Sequence, residues 1–235
     1  MKTKNLFKYT FQFRETNCTL ISDIEYAIER AIASIKYHRR QLEIYVRENP
    51  KFLYALSPVQ VENGPKIVKL MAEYAEKVNV GPMAAVAGVL ADLAVEEMLL
   101  AGSEVAVVEN GGEISAVSNM PIEAALLAGD HPLSRRFGFQ LEDFPIGLAT
   151  SSGIYSHALS FGEAEAVTIF AVNSGLADAV ATAIGNMIKG ENCREVVEKG
   201  VQKALGIEGV KGALIIYKDF VGFGGHVPRL IKMRG

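Results

Sequence analysis

Residues 104–117 read Glu104-Val105-Ala106-Val107-Val108-Glu109-Asn110-Gly111-Gly112-Glu113-Ile114-Ser115-Ala116-Val117. Two apolar runs, Glu104–Val108 and Ile114–Val117, flank Asn110-Gly111-Gly112. Asn and Gly tolerate the positive φ that a tight turn between antiparallel strands requires, so the segment predicts a β-hairpin. Upstream of it the pattern is mostly helical, and downstream it is first strand and then helix. Elements that come in such blocks argue for an α+β fold with an antiparallel sheet rather than βαβ winding.

Working outward, Phe7, Tyr9, Phe11 and Phe13 alternate with Lys8, Thr10 and Gln12, the period of a half-buried strand, and Thr19–Ile21 suits a short return strand. Ser22 and Asp23 are N-cap candidates for a helix through Ile24, Ile28, Ala31, Ile32 and Ile35 that stops near Asn49, before Pro50. Its basic cluster, Lys36, His38, Arg39 and Arg40, suits a solvated face or an anion contact. After a polar linker at Ser57–Gly64, a helix through Ile67, Met71, Tyr74 and Val78 is followed by a turn at Asn79–Pro82 and a small-residue helix to Gly102. A turn that short predicts an antiparallel helix pair. Beyond the hairpin, strands are expected at Ile122–Ala128, Phe137–Leu141, Ile146–Thr150 and Ala166–Val172. Helices follow at Gly175–Lys189 and Arg194–Leu205, then short strands at Gly212–Tyr217 and Val227–Ile231.

The 235 residues are 49% hydrophobic and 22% charged, close to the soluble globular average, which excludes disorder and fibrous repeats. A net charge of −3 gives no support to a nucleic-acid binder. Cys18 and Cys193 are too few for a disulfide scaffold or a Cys-built zinc site, and the expected compartment is the cytoplasm. Residues 1–14 have no apolar core of a signal peptide. The longest apolar stretch, Met83–Ala91, is closed by Asp92, well short of the roughly 20 residues that span a bilayer, so no membrane partner is expected.

Four segments carry candidate chemistry. In Asn110-Gly111-Gly112-Glu113, bare glycine N–H groups can face a phosphate, or the turn can be a plain hairpin. Thr150, Ser151, Ser152 and Gly153, with Ser156 and His157 close behind, form a polar cluster after an apolar strand. It suits hydrogen bonds to phosphate or ribose, or a Ser/Gly loop with an exposed histidine. Asp178 and Thr182 lie four apart and so share a helix face. That face suits a hard cation, which takes one or two carboxylates plus substrate phosphates, or charge placement near a helix N-terminus. Pro82–Asp92 suits an anion at a helix start or close helix packing.

Taken in order, Asn110-Gly111-Gly112-Glu113-Ile114, Ala149-Thr150-Ser151-Ser152-Gly153, His157 and Ala177-Asp178-Ala179-Val180-Ala181-Thr182-Ala183 resemble the motifs of ApbE-type flavin transferases. Met83–Gly88 is similar to the Gly-rich helix start of that family, and the likeness covers about Gly81–Gly190. The whole chain resembles a shorter, uncharacterised ApbE-related family with the same elements and no assigned reaction. The resemblance implies an ApbE-like fold of the T-fold type, an antiparallel sheet packed against helices. It treats residues 1–235 as a single domain with a less similar part at 1–80 and a motif-bearing part at 81–235. In the transferases FAD is bound, Mg²⁺ sits at the pyrophosphate, and FMN passes to a threonine of a target protein.

Carried over, Asp178 and Thr182 become side-chain Mg²⁺ ligands and the Ala87 carbonyl a third. Asn110, Gly111, Gly112 and Glu113, with Thr150, Ser151, Ser152 and Gly153, line FAD or FMN, and His157 is the catalytic candidate. The expected partners are a flavin or other nucleotide and, for transfer, a protein acceptor; the sequence leaves an oligomer open. Two departures stand out. Ala87 precedes Gly88 where the transferases carry Lys, and Ala158–Gly162 lacks the family's acidic position. Two functions follow from this: a Mg²⁺-dependent enzyme that transfers FMN or hydrolyses the pyrophosphate, or a ligand-binding or assembly protein that keeps the fold without the chemistry.

Overall fold

A computed structural model describes residues 6–126, 136–153 and 162–233. The hairpin is present: β3 (Val105–Asn110) pairs with β4 (Glu113–Ser118) from Val105↔Ser118 to Asn110↔Glu113. Gly111 and Gly112 turn the chain at φ 69 and 115. This hairpin sits inside an eight-stranded antiparallel sheet. The strands outside it are β1 (Phe7–Phe13), β2 (Thr16–Ser22), β7 (Ile146–Ser151), β8 (Ala166–Ala171), β9 (Val210–Tyr217) and β10 (Phe220–Gly225), in the order β1-β2-β3-β4-β7-β8-β9-β10. A second sheet, β11-β6-β5, joins Arg229–Lys232, Phe137–Leu141 and Ile122–Ala125.

Alternation of side chains sends each strand's residues to two covered faces. On one face the small sheet packs Phe139 and Leu141 against Ile146, Leu148, Phe170 and Ile216, with Phe139 and Phe170 edge-to-face at 4.9 Å. The other face is covered by helices: α1 (Glu25–Glu48), α4 (Val86–Leu100), α5 (Ser174–Gly185) and α6 (Cys193–Leu205). Covered on both sides, β8 is buried at all six positions, which explains a run that is apolar except for Thr168. Among the described residues no single helix is long and apolar enough to cross a membrane.

Several local expectations change. Ser22 and Asp23 do not cap α1, whose N-cap is Ile24. Asp23 instead accepts from the Glu104 and Val105 N–H groups, and Ser22 Oγ pairs with Ser103 Oγ, so both residues fasten α1's entry to the start of β3. Pro50 ends α1 and opens a further short helix, α2 (Pro50–Tyr54). The helix pair is not an antiparallel hairpin: α3 (Lys66–Val78) and the following helix, which starts as a 3₁₀ turn at Pro82–Ala85, meet at a bend of 104°. Asn79 in the left-handed conformation and the extended Gly81 make that corner. α5 stops at Gly185, short of Lys189.

The strand β10 is additional, and the last strand runs Arg229–Lys232 rather than Val227–Ile231. On β1, Phe7 and Tyr9 are exposed rather than half-buried, because this strand is a sheet edge. The basic cluster on α1 serves this edge. Lys36 and Arg40 stand over the rings of Phe11 and Phe13, and Arg39 pairs with Glu15 and Glu43.

Candidate functional site

The site forms where the first turns of α4 and α5 meet beside the β3–β4 turn. Small residues make that approach close. A Cβ at Gly88 would lie 2.3 Å from the Ser174 carbonyl oxygen, and one at Gly175 would lie 2.7 Å from Val89 Cγ2. Asp178, on the second turn of α5, accepts a hydrogen bond from Gly88 N–H at 3.0 Å and another from Ala87 N–H. It fills the first-turn donors that α4 leaves open, since its N-cap Ala85 has no capping side chain. The Ala87 carbonyl in turn accepts from Asn110 Nδ2 at 2.9 Å. Asp178 and Asn110 therefore both fasten the Ala87–Gly88 backbone, one at its N–H groups and the other at the Ala87 carbonyl, and their spacing in sequence shows none of this.

Glu113 completes the group. Burial pushes its carboxyl well above the usual range, and the Asp178 charge raises it further. Burial pushes Asp178 up to about 7, with the nearby Asp92 adding to the effect. The site is thus a partly buried set of hard oxygen donors, the Asp178 and Glu113 carboxyls and the Ala87 carbonyl. Among the described residues, no group of three or more His, Cys, Asp or Glu could hold a metal ion. Such a set fits an ion like Mg²⁺, which shares its coordination between a few protein oxygens and substrate phosphates, and does not fit a closed all-protein cage.

Thr182, one turn beyond Asp178, is half-buried and lines a pocket of about 380 Å³ with Tyr54, Leu56, Gly81, Met83 and Asn186. The pocket thus opens one helical turn from the carboxylate.

The turn and the polar strand end are neighbours. Ile114 pairs with Leu148, so the Gly112–Glu113 end of the turn lies at the Ala149–Thr150 end of β7. The glycine N–H groups, which could face a phosphate or simply close a hairpin, are spent within the protein: Gly111 donates to Asn17 O and Gly112 to Glu109 Oε1. The turn offers its side chains instead. Ala149 packs among α5 residues, so Ser151 shares the face of Asp178, whereas Thr150 bonds Thr168 Oγ1 at 2.9 Å on the opposite face. Ser152 is buried, and Gly153 N–H donates to Ala164 O. His157 and Ser156 lie outside the described residues.

One residue of this corner was not singled out from sequence. Asp92 accepts from Ser174 N–H at 2.9 Å, from Gly175 N–H at 2.8 Å and from the Ser115 hydroxyl, while burial still pushes it up to about 6. Its signal was an acid that breaks the apolar, small-residue stretch Met83–Ala91, four residues after Gly88.

The sequence model of the family described as "AbpE bacteria" matches residues 2–206. The chain belongs to this ApbE-related family. It is similar to the UPF0280 protein of Methanopyrus kandleri, at 39% identity over 94% of the chain and 91% of the relative. The UPF0280 protein of Methanococcus vannielii is also 39% identical, over 97% and 94%. Among solved structures, it resembles the apo flavinyl transferase ApbE of Pseudomonas stutzeri, with a TM-score of 0.64, 13% identity and 94% of each chain covered. It likewise resembles the ApbE protein of Thermotoga maritima, with a TM-score of 0.61, 13% identity and 97% of each chain covered. The ApbE-like α+β fold is therefore shared across very different sequences.

Proposed function

We propose that this ApbE-related chain binds a flavin nucleotide, FAD by preference, with Mg²⁺ at its pyrophosphate, and breaks the pyrophosphate by FMN transfer or by hydrolysis. The observation that carries this reading is the placement of Asp178 against the Ala87–Gly88 backbone. Thr182 stands one turn along and lines a pocket of about 380 Å³. The family and the flavinyl transferase fold support the ligand class.

In this reading Asp178, Thr182 and the Ala87 carbonyl hold the cation, which when bound neutralises charge developing on the phosphoryl oxygens. Asn110 fixes the orientation of the Ala87 carbonyl through its 2.9 Å hydrogen bond. Glu113, half-buried beside Asp178, adds a carboxyl that favours a cation, and burial with the Asp178 charge beside it pushes that carboxyl above the usual range when none is bound. Ser151 and Gly153 border the ligand from the β7 end, and His157 is the candidate for proton transfer.

A second reading, a binding protein without chemistry, is favoured by one observation: Ala84-Ala85-Val86-Ala87-Gly88 carries no Lys at the helix start. Release of AMP from FAD in the presence of Mg²⁺, measured with and without a threonine-bearing acceptor peptide, decides between them. Hydrolysis produces AMP in both arms, and transfer of FMN to the threonine hydroxyl produces it only with the acceptor. AMP formed by wild type and not by Asp178→Ala supports the enzyme. FAD bound with no AMP formed leaves the binding protein.

A further inference from the structure

The first turns of α4 and α5 cap each other. Asp178 of α5 fills the Ala87 and Gly88 N–H groups of α4, and Asp92 of α4 fills the Ser174 and Gly175 N–H groups of α5. Asn173 Oδ1 takes the next donor, Leu176 N–H, so the first three donors of α5 are all satisfied. Each aspartate lies four residues after the position where the two helices touch: Gly88 to Asp92, and Ser174 to Asp178. The contact itself has backbone on one side, because Gly88 has no room for a Cβ against the Ser174 carbonyl. A shift of the α5 start therefore cannot be absorbed locally; it moves Asp178 away from Ala87.

We infer that Asp92 is a positioning residue, which sets where Asp178 stands against the Ala87 and Gly88 N–H groups by holding the first turn of α5 through Ser174 and Gly175. Its relevance to cation binding rests on the functional reading above; the positioning itself does not. Asp92 reaches the site through these amides and through its charge, which adds to the raised carboxyl of Asp178 and is also removed in Asp92→Asn. The Gly88 amide reports the positioning alone. Replacing it with Asn keeps size and removes one acceptor, so either Ser174 or Gly175 N–H faces an amide donor. The exchange rates of individual amide hydrogens, measured in the cation-free protein, report the two caps separately.

In Asp92→Asn, exchange is expected to speed at least tenfold at Gly175 and at Gly88 alike. Mg²⁺ titrated into the FAD-saturated protein should bind at least tenfold more weakly than in wild type. Faster exchange at Gly175 with Gly88 and Mg²⁺ affinity unchanged would show a local cap, whatever the loss of thermal stability, and would overturn the inference. Absence of Mg²⁺ binding to FAD-saturated wild type would defeat the functional reading, while Gly88 exchange would still decide the positioning role. Should Asp92→Asn fail to fold, Ser115→Ala removes only the hydroxyl that supports Asp92 and must move both amides together; movement of Gly175 alone would overturn the inference.

Discussion

Asp92 and Asp178 are acids held away from the water that would ordinarily stabilise their charge, and this has a consequence for pH. Burial raises Asp92 from 3.8 to about 6. Between those values the folded chain holds a proton that the unfolded chain has released, so stability is greatest below the window and falls as pH rises through it. The thermal midpoint of wild type relative to Asp92→Asn, measured without divalent cation, should therefore rise as pH is lowered from 8 to 5. A difference that does not change with pH would show that Asp92 titrates as an ordinary surface acid. The pairing of Asp178 with Thr182 was legible from their spacing, because a helix fixes which residues share a face. The roles of Asn110 and Asp92 were not, because their partners, Ala87 O and Ser174 N, lie 23 and 82 positions away.

Close approach governs the elements. Gly88→Ala places a Cβ against the Ser174 carbonyl, which is backbone and cannot rotate aside, so about 1–3 kcal/mol should be lost in urea denaturation. Gly206→Ala, at a helix end with no heavy atom closer than 3.5 Å, should stay within about 0.5 kcal/mol of wild type. Equal effects of the two would contradict the packing assigned to α4. The hairpin, the long strands and most helices were readable because Asn-Gly-Gly and unbroken apolar periodicity are local signals. The strand Phe220–Gly225 was not, since three of its six residues are glycine. Two of those glycines earn their place by contact: Gly222 and Gly224 admit Val197 and Val201 of α6. The bend between α3 and α4 was misread because a short turn fixes proximity and not angle.

At the scale of the whole molecule, the large sheet separates two tasks. Its helix side carries Asp178, Asn110 and Glu113, and its other side carries the three-stranded sheet locked by Phe139 on Phe170. Phe139→Ala should cost about 3–5 kcal/mol of stability yet leave ligand binding intact well below its thermal midpoint. Ligand affinity lost in proportion to stability would contradict that separation. The α+β class followed from blocks of helix and strand, but the split into two sheets did not, because a strand's alternation does not say which neighbour covers which face.

The central property proposed for the α4–α5 corner is the coupling of a cation to a flavin nucleotide. Calorimetric titration of FAD with and without Mg²⁺, in wild type and in Asp178→Ala, measures this directly. Asp178→Ala removes a helix cap, a loss of about 1 kcal/mol that folding should survive. In wild type, Mg²⁺ should tighten FAD and FAD should tighten Mg²⁺ by the same factor, as linkage requires, and the coupling should vanish in the variant. Equal coupling in both proteins would show that Asp178 only caps a helix and would contradict the account.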